Sequence, residues 1–268
     1  MKISDYSLRG GVEGRERLRI LGRVMRPTAN ALLQRAGLCG GKKCLDAGCG
    51  GGDLAFDMAR IVGASGSVVG IDIDTKALDL ARAEAADLGL ANIEFRQADI
   101  TESSFAPEFD LVHARFLLSH LPDPAEALLR LWGALRPGGV VVLEDTDFRG
   151  HFSYPELPAL DRFVELYGQL LRRRGADSNI GARLPSLVAG AGFENVQMNI
   201  VQPAGITGEV KLMTPITMEN IGPAVIAAGL APSHEIAELV NALYEYARTP
   251  GTVGCLPRVM EVWATKPA

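Results

Sequence analysis

The sequence is short of every feature that marks a membrane-spanning or exported chain. No apolar run approaches the ~20 residues that a transmembrane helix requires. The opening Met1-Lys2-Ile3-Ser4-Asp5-Tyr6 lacks the apolar core of a signal peptide. Positive charge is not in excess: Lys+Arg total 27 against 32 for Asp+Glu, a formal net charge of −5. Gripping nucleic acid takes clustered cations along a face, so no nucleic-acid partner is expected. The short Arg172-Arg173-Arg174 run reads as a solvated helix end that complements the dipole. Cysteine is scarce as well. Cys39, Cys44, Cys49 and Cys255 contain no CxxC pair and have no histidine at zinc-finger spacing, so no metal site is expected. Free thiols fit a reducing, cytoplasmic setting. Internal repeats and low-complexity linkers are also missing.

What is present is a chain of 268 residues, 47% hydrophobic and 22% charged. Such a chain can bury a core without staples and fits one large domain with insertions. Gly10 to Leu38 carries a helical apolar stripe, and Pro27 predicts a break into two helices. From Lys43 onward short apolar strands alternate with helices. Strands are predicted at Lys43–Gly48, Ser67–Asp72, Ile93–Arg96, Phe109–His113 and Val140–Leu143. Asp74 and Asp123 stand where helix caps belong, the second followed by Pro124 at the first helical position. Near-continuous apolar strands joined by helices indicate a mostly parallel sheet buried on both faces.

Beyond Asp147 the rhythm changes. Helices are predicted at Leu157–Arg174 and Ile180–Ala191, then a strand at Val196–Val201. Val210–Gly229 reads as helix interrupted by Pro215 and Pro223, and Ser233 reads as the cap of a further helix. Arg258–Trp263 closes the chain as a strand. Met213, Ile216, Met218, Ile221, Val225 and Ile226 form an apolar set that suits core packing or the lining of a pocket.

The stretch Asp46-Ala47-Gly48-Cys49-Gly50-Gly51-Gly52 follows a strand and opens a helix. Glycine there permits a sharp turn and a close approach of backbone to ligand; a purely structural turn has the same composition. As a dinucleotide-binding turn it fails at its third position. That position holds Asp53, whose carboxylate would repel a pyrophosphate at the helix start. The pattern is D-x-G-x-G-x-G.

In that form the sequence resembles the class I S-adenosylmethionine-dependent methyltransferases. The resemblance continues through Val68-Val69-Gly70-Ile71-Asp72-Ile73, Gln97-Ala98-Asp99-Ile100, Phe109 to Arg115, and Leu135-Arg136-Pro137-Gly138-Gly139, and it covers Lys43 to Leu143. It implies a doubly wound α/β fold: a mostly parallel seven-stranded sheet with helices on both faces, its last strand antiparallel. Residues 1–40 would form a helical cap and 41–268 the methyltransferase domain, with helical lid insertions at about 151–178 and 208–250. The implied cofactor is S-adenosyl-L-methionine, its product S-adenosyl-L-homocysteine. Its binding residues would be Asp46, Gly48, Cys49, Gly50, Asp72, Ile73, Asp99, Ile100, His113 and Ala114. Asp72 would accept from the ribose hydroxyls and Asp99 from the adenine amino group, with Ile73 and Ile100 against the ring.

The implied branch is that of quinone-biosynthesis and secondary-metabolite enzymes, acting on a small, partly apolar acceptor. No Asn-Pro-Pro-Tyr type sequence follows the fourth strand, which argues against methylation of DNA bases. Candidate bases are His113, His120, His151 and Tyr154. His120, on a short apolar helix, reads as a packed histidine, and His151, in the loop after the fifth strand, as the base. The alternatives are a cofactor-binding protein of the same fold without methyl transfer (cyclase, decarboxylase or regulator) and an NAD-dependent dehydrogenase. The chain is expected to be a monomer or a homodimer.

Overall fold

The computed structural model describes residues 11–268, with side chains from residue 14 onward. The readings that fall on the first ten residues, including the start of the cap, lie outside the described residues. In chain order the elements are α1 (Gly11–Arg35), β1 (Lys43–Ala47), α2 (Asp53–Val62), β2 (Ser67–Asp72), α3 (Thr75–Asp87), β3 (Ile93–Gln97), β4 (Phe109–Arg115), α4 (Pro124–Ala134), β5 (Leu135–Asp147), α5 (Pro158–Arg172), α6 (Leu184–Gly190), β6 (Glu194–Val201), β7 (Ala204–Gly205), α7 (Met213–Ala227), α8 (Ser233–Arg248), β8 (Gly254–Cys255) and β9 (Arg258–Thr265).

Seven strands form one sheet in the order β3-β2-β1-β4-β5-β9-β6. Neighbours from β3 to β5 pair in parallel, and β9 runs antiparallel to both β5 and β6. The fold class implied by the resemblance is the one observed. One face carries α1, α2 and α3, whose Leu32, Met58 and Leu78 pack on Cys44, Val68 and Leu111. The other carries α4 and α6, whose Leu131 and Leu184 pack on Leu45, Val112 and Val141. The chain leaves β1 toward β2 and β3, then returns to β4 on the opposite side. That reversal opens a crevice at the carboxyl ends of β1 and β4, where ligands of such sheets bind.

Two helix ends follow their caps. Asp74 accepts from the backbone of Lys76 and Ala77, and Asp123 from that of Glu126. Proline is where the expectations fail. α1 runs unbroken through Pro27. Pro27 lies on the exposed side, so water can take the carbonyl its ring leaves unpaired, while Met25, Ala29, Leu32 and Leu33 stay buried on one stripe. α7 likewise runs through Gly222 and an exposed Pro223. Pro215 falls in its first turn, where an N–H has no intrahelical partner to lose. Ser233 is the first residue of α8, and Pro232 holds the cap position without a side-chain bond. The predicted helix at Ile180–Ala191 is a 3-10 turn, Ile180–Arg183, followed by α6. β5 starts at Leu135, earlier than predicted, because Leu135 already pairs with Phe109 of β4, and Gly138 and Gly139 exchange backbone bonds with Lys266 beyond β9.

Helices α5, α7 and α8 share a separate core that includes Phe163, Leu166, Met218, Ile221, Val225 and Leu239. Of the apolar set in α7, Met218, Ile221 and Val225 are core, and Ile226 is 40% exposed. β6 and β9 are adjacent antiparallel strands, and the chain between them makes α7, α8 and the small β7–β8 ladder. Among the described residues no helix is long and apolar enough to cross a membrane.

Candidate functional site

A cavity opens at the carboxyl ends of β1, β2 and β4. Its first wall is the glycine turn. Gly48, Gly50 and Gly52 have φ of 70°, 52° and 82°, the left-handed region that side chains avoid. The glycines differ in purpose. A Cβ on Gly52 would lie 2.7 Å from the Phe95 ring, so that glycine serves packing. Gly48 and Gly50 line the cavity. Asp72, the last residue of β2, holds the turn in place: its Oδ2 accepts from Gly50 N at 2.8 Å and its Oδ1 from Asp74 N at 2.9 Å. A carboxylate has about four lone-pair directions. Asp72 lines the cavity, and the acceptor capacity these bonds leave suits the hydroxyls of a ligand. Burial raises the Asp72 pKa above the usual carboxylate value, against the opposing N–H bonds from Asp74 and Gly50.

Ile73, Asp99 and Ile100 also line this wall. Asp99 Oδ1 accepts from the backbone and hydroxyl of Thr101, which fixes its carboxylate at the end of β3. Cys49 faces the cavity too, but burial pushes its thiol pKa well up, so it offers bulk and not a nucleophile. Asp53, which set this turn apart from a dinucleotide site, is engaged by α1. Arg15 Nη1 donates to its Oδ2 at 2.5 Å and Arg15 Nη2 donates to Glu84 at 2.7 Å. Arg15 is 4% exposed. It straps α1 across α2 and α3 beside the turn.

Behind the turn lies a buried row of charge. His113 Nδ1 is 2.8 Å from Asp46 Oδ1 and its Nε2 is 3.1 Å from Glu144 Oε1. With a carboxylate oxygen against each ring nitrogen, the protonated ring, which donates from both, is the form this arrangement favours. Burial alone would lower its pKa; the bonds to Asp46 and Glu144 outweigh this and raise it. Glu261 stands opposite Glu144 in the β5–β9 ladder and accepts from Asn199 at 2.8 Å. Burial raises the Glu261 pKa, and the Glu144 charge adds to the rise. Asp46 and His113 both reach the cavity wall. Ala114, expected beside the cofactor, does not. It is 2% exposed and packs in the core on the opposite face, as alternation along β4 requires.

The second wall is of another kind. Phe148, Phe163 and Tyr167 line it, with the Phe148 and Tyr167 rings stacked at 4.2 Å and 5°. His151 leans on Phe148 and Phe163, its centroid 4.9 and 6.0 Å away. Its Nδ1 lies 3.2 Å from the Phe148 carbonyl, which can only accept, so Nδ1 carries the proton and Nε2 is left as an acceptor. Burial lowers the His151 pKa to about 4, and that of the buried His120 to about 4 as well. Both rings are neutral near pH 7, and both line the cavity. Tyr154 is 69% exposed and stands outside it. Met213, Thr214 and Thr217 of α7 close the far side.

The structure thus gathers Asp46, Gly48, Cys49, Gly50, Asp72, Ile73, Asp99, Ile100, His113 and His151 around one cavity and sets Ala114 apart. Sequence reasoning missed Arg15, Arg115 and the α5 aromatics. The amphipathic period of α5 showed only that Phe163 and Tyr167 face inward. Among the described residues no cluster of His, Cys, Asp and Glu could hold a metal ion.

A family model described as a methyltransferase domain matches residues 39–172, half of the chain. The demethylmenaquinone methyltransferase of Lactococcus lactis is 35% identical over 136 residues, 50% of this chain and 52% of that protein. A ubiquinone biosynthesis O-methyltransferase from Acinetobacter baylyi is 40% identical over 114 residues, 42% of this chain and 47% of that protein. The chain spans about half the length of the curated relatives it matches. Among solved structures, phosphoethanolamine N-methyltransferase 2 of Haemonchus contortus, in complex with phosphomonomethylethanolamine and S-adenosylhomocysteine, has a TM-score of 0.59 at 19% identity, covering 90% of this chain and 53% of that one. The [4+2]-cyclase SpnF has a TM-score of 0.57 at 21% identity, covering 90% and 81%. At such identities these structures show a shared fold.

Proposed function

We propose a function on one premise: the chain belongs to the methyltransferase-domain family. The reading is that it binds S-adenosylmethionine against the glycine turn and moves the methyl group to a small organic acceptor held by the aromatic wall. The observation that carries it is that one cavity runs without interruption from Asp72 and Asp99 to His151 and Tyr167. A nucleoside-bearing ligand fits the first end, and a flat apolar acceptor fits the second.

When bound, the cofactor supplies a methyl group made electrophilic by a sulfonium. Everything else falls to the chain. Asp72 would accept from the ribose hydroxyls and Asp99 from the adenine amino group, and Ile73 and Ile100 would cover the ring. Gly48, Cys49 and Gly50 would bring backbone close to the amino-acid end, with Asp46 and His113 on the same wall. The aromatic wall orients the acceptor for an in-line displacement, where orientation contributes roughly 7–11 kcal/mol. His151 is the base: its Nε2 lone pair takes the proton of an acceptor hydroxyl or amine. The names of the relatives, which act in menaquinone and ubiquinone biosynthesis, support a partly apolar aromatic acceptor.

Helix α7 is the lid over this compartment, and α5 its flank. Support comes from the contacts: α7 sends Met213, Thr214 and Thr217 to the cavity while packing on α5 and α8. A single domain with a helical cap and two insertions is the organisation that follows. Net charge −5 and unpaired cysteines support a cytoplasmic setting and a small-molecule partner.

Two measurements test the reading. Calorimetric titration is expected to show micromolar or tighter binding of S-adenosylmethionine and none of NAD; the reverse would sink it. A radiolabelled methyl-transfer screen over phenols, quinones and amines is expected to find a turnover substrate. Binding with no transfer across the screen would favour a cofactor-binding protein that does other chemistry.

A further inference from the structure

Arg115 ends β4 and lines the cavity. Its guanidinium has no hydrogen-bond or ion-pair partner among the described residues. Its neighbours are otherwise: Arg15 is bonded to Asp53 and Glu84, and Arg17 donates from Nε to Thr217 at 3.2 Å. Holding an unpaired cation in a partly buried wall is unfavourable, and such costs recur where a ligand completes the pairing. The chain is also bent at this point. Phe116, the next residue, has φ of 52°, and its N–H is tied to the Glu144 carbonyl at 2.8 Å. Left-handed backbone at a residue other than glycine gathers at functional sites.

The charge around Arg115 says what it is for. The cavity is lined by the carboxylates of Asp46, Asp53, Asp72, Asp74 and Asp99, by Arg17 and Arg115, and by the His113 ring. His113 is taken up by Asp46 and Glu144 and Asp53 by Arg15, which leaves Asp72 and Asp74 without a cation among the described residues. A ligand carboxylate would be repelled over most of this wall. Arg115 offers a fork of donors that matches a carboxylate bidentately. It stands two residues beyond His113 on the same face of β4, and His113 is paired in register with Asp46. The adjacent ends of β1 and β4 thereby present a carboxylate and a guanidinium to the same cavity, the complement of a zwitterion.

We propose that Arg115 anchors a ligand carboxylate in this cavity. The proposal rests on the methyltransferase reading and deepens it. The carboxylate has two possible sources: the amino-acid end of S-adenosylmethionine, which the Asp46 placement favours, and an acidic group on the acceptor.

Calorimetry separates them. In the first arm, wild type and Arg115→Gln are titrated with S-adenosylmethionine and with its decarboxylated form. Wild type is expected to prefer the carboxylate-bearing form, and the variant to lose about 10- to 150-fold of that preference, the range of charge-assisted hydrogen bonds. Arg115→Lys keeps the charge without the fork and is expected to fall between. In the second arm, 4-hydroxybenzoate and phenol are titrated into the protein loaded with S-adenosylhomocysteine. A comparable loss here, with the first preference unmoved, places the carboxylate on the acceptor and upholds the anchor.

If wild type binds S-adenosylmethionine and neither preference moves, Arg115 is no anchor. If wild type does not bind it, the methyltransferase reading fails, and 4-hydroxybenzoate titrated into the ligand-free protein still decides the role of Arg115. Removing an unpaired cation breaks no internal bond, so the melting temperature is expected to hold within about two degrees for both variants. A large fall in both would show a structural role and overturn the proposal.

Discussion

The two walls of the cavity solve opposite problems. The strand-end wall, from Asp46 to Ile100, is made of glycine backbone and carboxylates, and its polar groups are fixed by short local bonds such as Asp72 to Gly50 and Asp99 to Thr101. The helical wall, from Phe148 to Thr217, is made of aromatic rings and the neutral His151, with His120 joining it from the turn after β4. Its main parts come from α5, α7 and the loop after β5, and they are held by a core of their own. The first wall suits a polar ligand whose hydrogen-bonding pattern never varies. The second suits an apolar surface whose outline can differ from one acceptor to another. On the proposed reading, binding and specificity fall to different parts of the chain, and each is expected to be perturbed with little effect on the other.

The sharpest way to separate the walls is at His151. His151→Gln is expected to lower kcat by about 10²- to 10⁴-fold, the usual contribution of a positioned base, while the affinity for S-adenosylmethionine stays unchanged. The pH profile carries a second signature. A base acts when neutral, and His151 has a pKa of about 4. The wild-type rate is therefore expected to be flat from pH 5 to 8 in this limb and to fall as pH drops toward 4. An ordinary histidine would show the fall near 6.5. A break near 6.5, or a cofactor affinity that falls along with kcat, would remove the separation.

How much of each wall was legible in the sequence follows from the same contrast. The strand-end wall is written in consecutive residues: a glycine turn after one strand, Asp72 at the end of the next, Asp99 at the end of the third. Even there the sequence hid contacts that reach far along the chain. Arg15 meets Asp53 from 38 residues away, and His113 meets Asp46 from 67. Ala114 was misplaced because adjacency in a strand means opposite faces. The helical wall was scarcely legible, since helical period says which side of α5 is buried and not against what. The prolines misled for a physical reason. Pro27 and Pro223 both sit on exposed helix faces, where packing of the opposite face keeps the helix whole and water accepts the lost bond. The resemblance ended at Leu143, and so did most of the foresight.

A second effect, on stability, comes from beneath the first wall. His113→Leu leaves Asp46 and Glu144 buried without their shared cation, beside Glu261. Breaking a buried pair in this way costs about 3–5 kcal/mol, measurable by urea unfolding. The sign of the pH dependence is fixed by the direction of the shift. The His113 pKa is raised above the ordinary histidine value of about 6.5, so its contribution is complete below about 6.5 and is lost as pH rises through its folded pKa. Wild type minus variant is expected to shrink as pH increases through that window. A difference that grows with pH would mean that the ring is neutral in the folded protein.

Asp72→Asn tests the first wall alone. The amide keeps the shape and one acceptor oxygen but loses the charge. Affinity for S-adenosylmethionine is expected to fall by about 1.5–3 kcal/mol, the value of hydrogen bonds to a charged group, and the turn loses the charged acceptor of Gly50 N–H. The acceptor KM, measured at saturating cofactor, is expected to stay within about twofold. An unchanged affinity would mean that the ligand's hydroxyls bind elsewhere.

The smallest effect tests whether the walls move relative to each other. Arg23 of α1 grips Glu209, just ahead of α7, with Nε and Nη2 both donating to its carboxylate at 2.6–3.0 Å. The two side chains are 48% and 40% exposed, so the pair is screened and is expected to contribute about 0.2–1 kcal/mol by double-mutant cycle, less at high salt. Its position gives the small number a use. If α7 is a lid, Arg23→Ala weakens a contact made only when it is closed. Hydrogen exchange in residues 209–227 should then rise severalfold while β1, β4 and β5 exchange as before, and the excess should vanish once cofactor and acceptor hold the lid shut. If α7 is instead a rigid part of the wall, its exchange follows the central strands in both proteins, with and without ligand. That result would make the helical wall as fixed as the strand-end wall, and acceptor entry would need another route.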